Sequence, residues 1–173
     1  MNCGGWRANA YWPNPYVAPE EESKRPMEMS GEQIIALPQA TTWKALNDIA
    51  VLKDCIAGCE SITQIGDNEF EILMTARVGP VSAKFKGKML LADVVAPNSY
   101  RIVFEGSGGV AGFAKGEATV RLSEQDTSTK LSYTAKATIG GKLAQVGSRL
   151  VDGVAKKIAN DFFVAFNKRA SGA

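Results

Sequence analysis

Six consecutive stretches of the sequence alternate apolar and polar residues with a period of two, and after Gly140-Gly141 the period changes to 3.6. Alternation sends successive side chains to opposite faces, so each stretch reads as a β-strand with one greasy and one wet face. The strands are expected near 60–66, 69–79, 81–95, 99–107, 112–124 and 129–140, and turns this short imply an up-and-down antiparallel sheet. Phe70, Ile72, Met74, Ala76 and Val78 share one face of the second; Val81, Ala83, Phe85, Gly87, Met89 and Leu91 share one face of the third, with Lys84, Lys86 and Lys88 opposite. Ala114, Gly116, Ala118, Val120 and Leu122, then Leu131, Tyr133, Ala135, Ala137 and Ile139, repeat the arrangement. In 99–107 apolarity favours Tyr100, Ile102 and Phe104 as the inward set. Gly66-Asp67-Asn68 and Pro97-Asn98 supply turn chemistry, and Gly79-Pro80 should bend the chain.

Past Gly141, Leu143, Val146, Leu150, Val154 and Ile158 follow steps of three or four and predict one helix of about 25 residues, roughly 37 Å long, which can cross the sheet. By ideal spacing Gly147 and Asp161 fall on its apolar side and Phe163 on its polar side, so the helix end, with Phe162 and Phe166, is expected to project beyond the sheet and offer a contact to a partner or membrane. Upstream, 29–37 reads as a first strand, Pro38 opens a short helix carrying Trp43 and Leu46, and Asn47 or Asp48 caps a second, Ile49 to Cys55. Residues 1–26, with Trp6, Tyr11, Trp12 and Tyr16 among prolines, are expected to be a flexible extension or an expression remnant, leaving a domain of 27–170.

Composition narrows the chemistry. The sequence has no histidine, which removes imidazole acid-base catalysis, Ser-His-Asp and Cys-His nucleophiles and His-based zinc sites. Cys3, Cys55 and Cys59 are too few for a four-thiolate site, and Cys55 and Cys59 are expected to be reduced. No catalytic residue, metal or cofactor is assigned. A net charge of +2 gives little field for nucleic acid. No run of about 18 apolar residues exists, so a cytoplasmic protein is expected.

Small residues facing each other across a curved sheet and a helix either let the two layers pack closely or leave room for something else. Phe70, Met74, Phe85, Met89, Phe104 and Tyr133 on the strands, with Gly147, Leu150 and Val154 on the helix, are therefore the candidate lining of an apolar ligand site. Gly108, Gly109, Val110 and Phe113 would form a hairpin over its mouth. Gly106 to Ala111 also matches a dinucleotide-binding pattern, but the residues that follow alternate like a strand, and a phosphate loop needs a helix behind it.

The order of elements resembles the START-like helix-grip fold of the SRPBCC (polyketide cyclase and lipid transport) superfamily: a seven-stranded antiparallel sheet curved around a long C-terminal helix, with two short helices after the first strand. Leu52 to Glu60, Val78-Gly79-Pro80-Val81 with Phe85-Lys86-Gly87-Lys88, Gly108 to Gly116 and Gly140 to Leu150 look like the G-subunit family of carbon monoxide dehydrogenase over about Met29 to Phe166. That resemblance implies a non-enzymatic accessory of a molybdenum-containing aerobic carbon monoxide dehydrogenase. It also implies carriage of a quinone-like or lipid-like molecule and peripheral contact with the inner membrane face. Larger members of the family continue past the last helix into a hydrophobic anchor; this sequence stops at Ala173. Two alternatives remain open: a cyclase or aromatase on the same fold, using Tyr133 or Tyr100 as an acid, and a pure protein-recruitment module.

Overall fold

A computed structural model describes residues 25–170. Seven strands form one antiparallel sheet: β1 (Arg25–Ile35), β2 (Cys59–Gly66), β3 (Glu69–Val78), β4 (Val81–Val95), β5 (Ser99–Ser107), β6 (Phe113–Gln125) and β7 (Ser128–Gly140). Their order, β1-β7-β6-β5-β4-β3-β2, is an up-and-down meander with β1 added beside the last strand. The first strand starts at Arg25, four residues before the alternation predicts, because Arg25 to Glu28 pair with Ile139 to Lys136. Arg25 and Pro26 thus belong to the fold, and the rest of the expected N-terminal extension lies outside the described residues.

Helices α1 (Gln39–Leu46) and α2 (Ile49–Cys55) make an elbow after β1. The Asp48 carboxylate caps α2 by accepting from the amides of Ala50 at 2.9 Å and Val51 at 3.4 Å. Two fully buried threonines seal the joint: Thr129 donates to the Leu37 carbonyl at 2.7 Å, and Thr42 donates to the Thr129 hydroxyl at 3.2 Å. Buried polar groups are tolerable only when paired in this way.

The terminal helix departs from the sequence reading. It is broken into α3 (Lys142–Gln145) and α4 (Ser148–Ala170), with Gly147 at the joint in a left-handed conformation (φ 98°). Gly147 therefore belongs to no helical stripe. The break also resets the phase. On α4 the buried side chains are Phe163 and Phe166, whereas Leu150 and Ile158, on the predicted stripe, are 39% and 38% exposed. The phenylalanines do not project: Phe163 stacks on Tyr133 with ring centroids 5.6 Å apart, Phe162 stacks on Phe166 at 5.8 Å, and Phe166 is wholly buried. Asn167 ties the helix end to β1, its amide donating to the Ile34 carbonyl and its oxygen accepting from the Ala36 amide, both at 3.2 Å. Arg169 reaches Asp54 on α2 at 3.0 Å.

These contacts predict opposite outcomes for two truncations on α4. Phe166→Ala should lower the unfolding free energy by ~3–5 kcal/mol, the usual cost for a fully buried aromatic, and Ile158→Ala by less than ~1 kcal/mol. Urea denaturation of both variants measures the difference; the phase read from sequence requires Ile158→Ala to cost as much as Phe166→Ala.

Candidate ligand-binding site

The inward face of the sheet is built in rows, because paired residues in an antiparallel ladder point the same way. One row runs Met27, Ala137, Gly116, Phe104, Met89, Phe70 across six strands, and the next runs Met29, Ala135, Ala118, Ile102, Leu91. The ladder thus places Tyr100, Ile102 and Phe104 inward, and Arg101 outward, where it bridges Asp93 and Glu117 at 2.8 Å each.

Two apolar clusters close the ends of this face. One joins Ile35, Leu46, Tyr100, Val120, Leu122 and Leu131 to Phe163 and Phe166; the other joins Ile139, Leu143 and Ala144, with Phe85, Val78, Val81 and Val151 packed against them. Helix α4 contributes Val151 to the second cluster near its start and the phenylalanines to the first near its end, so its middle must pass over the rows between. There the packing is incomplete. Met29, Phe70, Ile72, Met74, Met89, Phe104, Ala118 and Ala135 are only half-buried, as are Val154 and Ala155 on the helix, while the clusters at either end contain residues that water scarcely reaches. Native interiors pack at crystal-like density, so the middle of this face is less closely packed than its two ends.

The predicted lining residues fall into three groups. Phe70, Met74, Met89 and Phe104 share the inward face of the sheet, and Val154 on the helix is half-buried. Tyr133 and Phe85 stand at the two ends of that face. Tyr133 lies flat over Gly31, where a Cβ would come within 2.6 Å of the hydroxyl, and Phe85 lies against Gly108, where a Cβ would come within 2.5 Å of the ring. Leu150, Gly147 and Phe113 are elsewhere. The Leu150 side chain turns toward the β3–β4 turn, 2.5 Å from where a Cβ on Gly79 would be, and Gly147 is the helix joint. Phe113 pairs with Ser107 and Gly140 in an outward row, its ring over Gly140. Sequence reasoning missed Met27 and Met29 as lining; their alternation with Gly31 and Gln33 is legible, but a strand begun at Met29 leaves Met27 out and puts its neighbour at a frayed end.

The loop expected to cover the mouth is a short 3₁₀ turn, Gly109–Ala111, held in place. The Gly108 amide donates to the Gly112 carbonyl at 2.8 Å, and Gly112 packs so tightly on Gly140 and Gly141 that any Cβ would strike the Gly140 carbonyl. Val110 at its tip is 84% exposed. Grooves of ≈ 650 Å³ and ≈ 450 Å³ run beside the charged strand residues, among them Lys88, Glu105, Lys115 and Glu117, and the apolar row also borders them: Phe70, Met89 and Phe104 the larger, Met27 and Ala137 the smaller. Charged side chains of both signs stand along each.

Neither cysteine among the described residues is poised for chemistry. Burial, aided by the Asp54 charge, pushes the Cys55 thiol up, and burial raises Cys59, so both stay protonated at neutral pH. Tyr100 is packed edge-on against Trp43 with centroids 5.4 Å apart, and burial holds its hydroxyl far above the usual tyrosine range.

The sequence pattern of CoxG, the G subunit of carbon monoxide dehydrogenase, matches residues 31–171. The chain belongs to the CoxG family. A conserved protein from Geobacillus kaustophilus is 30% identical to it and superimposes with a TM-score of 0.80, over 84% of this chain and 96% of the other. The Zhui aromatase/cyclase from Streptomyces sp. R1128 superimposes with a TM-score of 0.60 at 12% identity, over 85% and 94%. Ara h 8.0201 does so at 0.57 and 16%, over 86% and 100%. The last two show the fold alone: CoxG shares the helix-grip architecture with an aromatase/cyclase. No match was found among curated proteins.

The burial of Tyr100 gives a pH dependence. Unfolded tyrosine ionises near pH ~10, and from there upward the unfolded chain sheds a proton that folded Tyr100 keeps, so stability falls as pH rises. Denaturation between about pH 10 and 11.5 should show a steeper loss for the wild type than for Tyr100→Phe. Parallel slopes would mean that Tyr100 ionises equally easily in both states.

Proposed function

We propose that this CoxG protein is a non-catalytic carrier that holds an apolar molecule, quinone-like or lipid-like, between its sheet and α4, as an accessory to a molybdenum-containing carbon monoxide dehydrogenase. The observation that carries this reading is the partial burial of the inward face's middle between two closely packed end clusters. Phe70, Met74, Met89, Phe104, Met27 and Met29 supply soft and aromatic surface there, and Ala118, Ala135 and Gly116 supply space. The family assignment supports the accessory role; delivery of an electron carrier to the dehydrogenase, and recruitment of that enzyme to the membrane, are the uses such a carrier fits.

The cyclase alternative finds less support. An acid catalyst must reach a bound substrate and give up a proton near the working pH. Tyr100 is sealed against Trp43 and its hydroxyl is made less acidic by burial, while the Tyr133 ring is committed to Phe163 on one side and Gly31 on the other.

Purified full-length protein should release an apolar molecule on organic extraction, read by mass spectrometry, and should take up an added short-chain prenyl quinone, read by quenching of its tryptophan fluorescence. Ala118→Leu and Ala135→Leu should each weaken uptake at least about ten-fold, equivalent to ~1.4 kcal/mol, while leaving a cooperative thermal transition. Absence of both extracted molecule and uptake sinks the carrier reading. Binding of the dehydrogenase that survives both substitutions, together with absent uptake, would leave recruitment alone as the function.

A further inference from the structure

The smaller cluster closes one end of the inward face. Four segments meet there: the Gly79-Pro80 turn, the 108–112 loop, α3 and the first turn of α4. Contact of Gly112 with Gly141 holds the second against the third, and contact of Leu150 with Gly79 holds the fourth against the first. Val110, at the tip, is more exposed than any other large apolar side chain among the described residues, and Leu150 stands beside the neighbouring turn at 39%.

Charge at this end is one-sided. Arg77, Lys142 and Arg149 are exposed, and among the described residues none of them has an ion-pair partner, whereas Lys84 and Lys86 nearby are engaged with Glu60 and Glu71. Asp152 is the acid facing them from α4. The three joints that form the tip, Gly79-Pro80, 108–112 and Gly140-Gly141, contain no acid; the hairpin turns at the far end contain Asp67, Asp93 and Asp126. An apolar point at an end that bears three exposed cations and one acid, on a body whose opposite turns are acidic, matches the interface of an anionic bilayer. There basic side chains lie among headgroups and an aliphatic tip reaches the acyl boundary.

We propose that this end is the membrane-docking surface, with Val110 inserted into an anionic lipid surface and Lys142, Arg149 and Arg77 among the headgroups. The assignment rests on the carrier reading for its purpose, since it presents to the lipid the end that only the smaller cluster closes. That closing cluster includes Leu143 on α3, a helix flanked by Gly141 (φ 72°) and Gly147 (φ 98°). The surface itself stands on exposure and charge.

Flotation of the full chain with phosphatidylcholine vesicles, with and without phosphatidylglycerol, tests it. Binding should require phosphatidylglycerol and weaken with added salt. It should fall at least ten-fold in Val110→Asp and in the double variant Lys142→Glu/Arg149→Glu, and it should be unchanged in Val94→Asp at the far end and in Ala118→Leu. Val110→Asp alters an exposed tip, so circular dichroism should match the wild type; if it does not, Val110→Ser serves in its place. No binding to anionic vesicles, or equal loss in Val94→Asp, overturns the proposal. So does undiminished binding in Val110→Asp, which would place the contact elsewhere in the chain. Failure here with intact quinone uptake removes only the docking surface, and vesicle binding with absent uptake removes only the carrier.

Discussion

Everything in this structure follows from how α4 is fastened. A helix laid across a sheet is ordinarily secured by continuous burial along one stripe, but here the apolar anchors are at the two ends. Phe163 and Phe166 are driven into one cluster, reinforced by Asn167 on the β1 edge and Arg169 on α2, and Val151 joins the other. Between these points Val154 and Ala155 on the helix are half-buried, as are Phe70, Met89, Phe104, Ala118 and Ala135 on the sheet. The residues that water scarcely reaches are gathered in the two end clusters.

The strands were legible because alternation is a local property that each stretch states independently. The ladder registers then add little except the order of rows, and the predicted inward residues of β3 to β7 are inward. The helix was less legible for a definite reason. Leu143, Val146, Leu150, Val154 and Ile158 form a sound 3.6-residue pattern only if the chain is continuous from 142 onward, and one left-handed glycine at 147 voids that assumption. A glycine inside an amphipathic pattern can be packed or can be a joint, and sequence spacing alone does not tell the two apart. Phe163, off the stripe by ideal spacing yet aromatic and close to Phe162 and Phe166, was the available signal that the phase had shifted.

The same break explains why the candidate site was only partly recoverable. Its sheet residues depend on alternation, and Phe70, Met74, Met89 and Phe104 share the inward face as read; its helical residues depend on phase, and Gly147 stands at the helix joint and Leu150 beside Gly79. Phe113 failed through parity. Counting from Ala114, which packs with the inward cluster, puts Phe113 on the outer face, and only the glycine-rich turn before it made the residue look like part of a cap.

What the proposed site could hold is bounded by the side chains that face it. The rows built on Met27 and Met29 contain no ionisable side chain, and Gln64, which pairs with Phe70 at the edge of the first, has its side-chain amide donating to the Gly66 carbonyl at 3.2 Å. An ionised group drawn beneath α4 would lose its water and find no counter-charge, a penalty of several kcal/mol. A neutral ring or a branched hydrocarbon would lose nothing of the kind and would bring the contacts that the half-buried methionines and phenylalanines lack. Such a site would select by polarity before it selects by shape. An amphiphile could enter only with its charged part left outside the two layers, where the exposed basic residues at the α3 end stand.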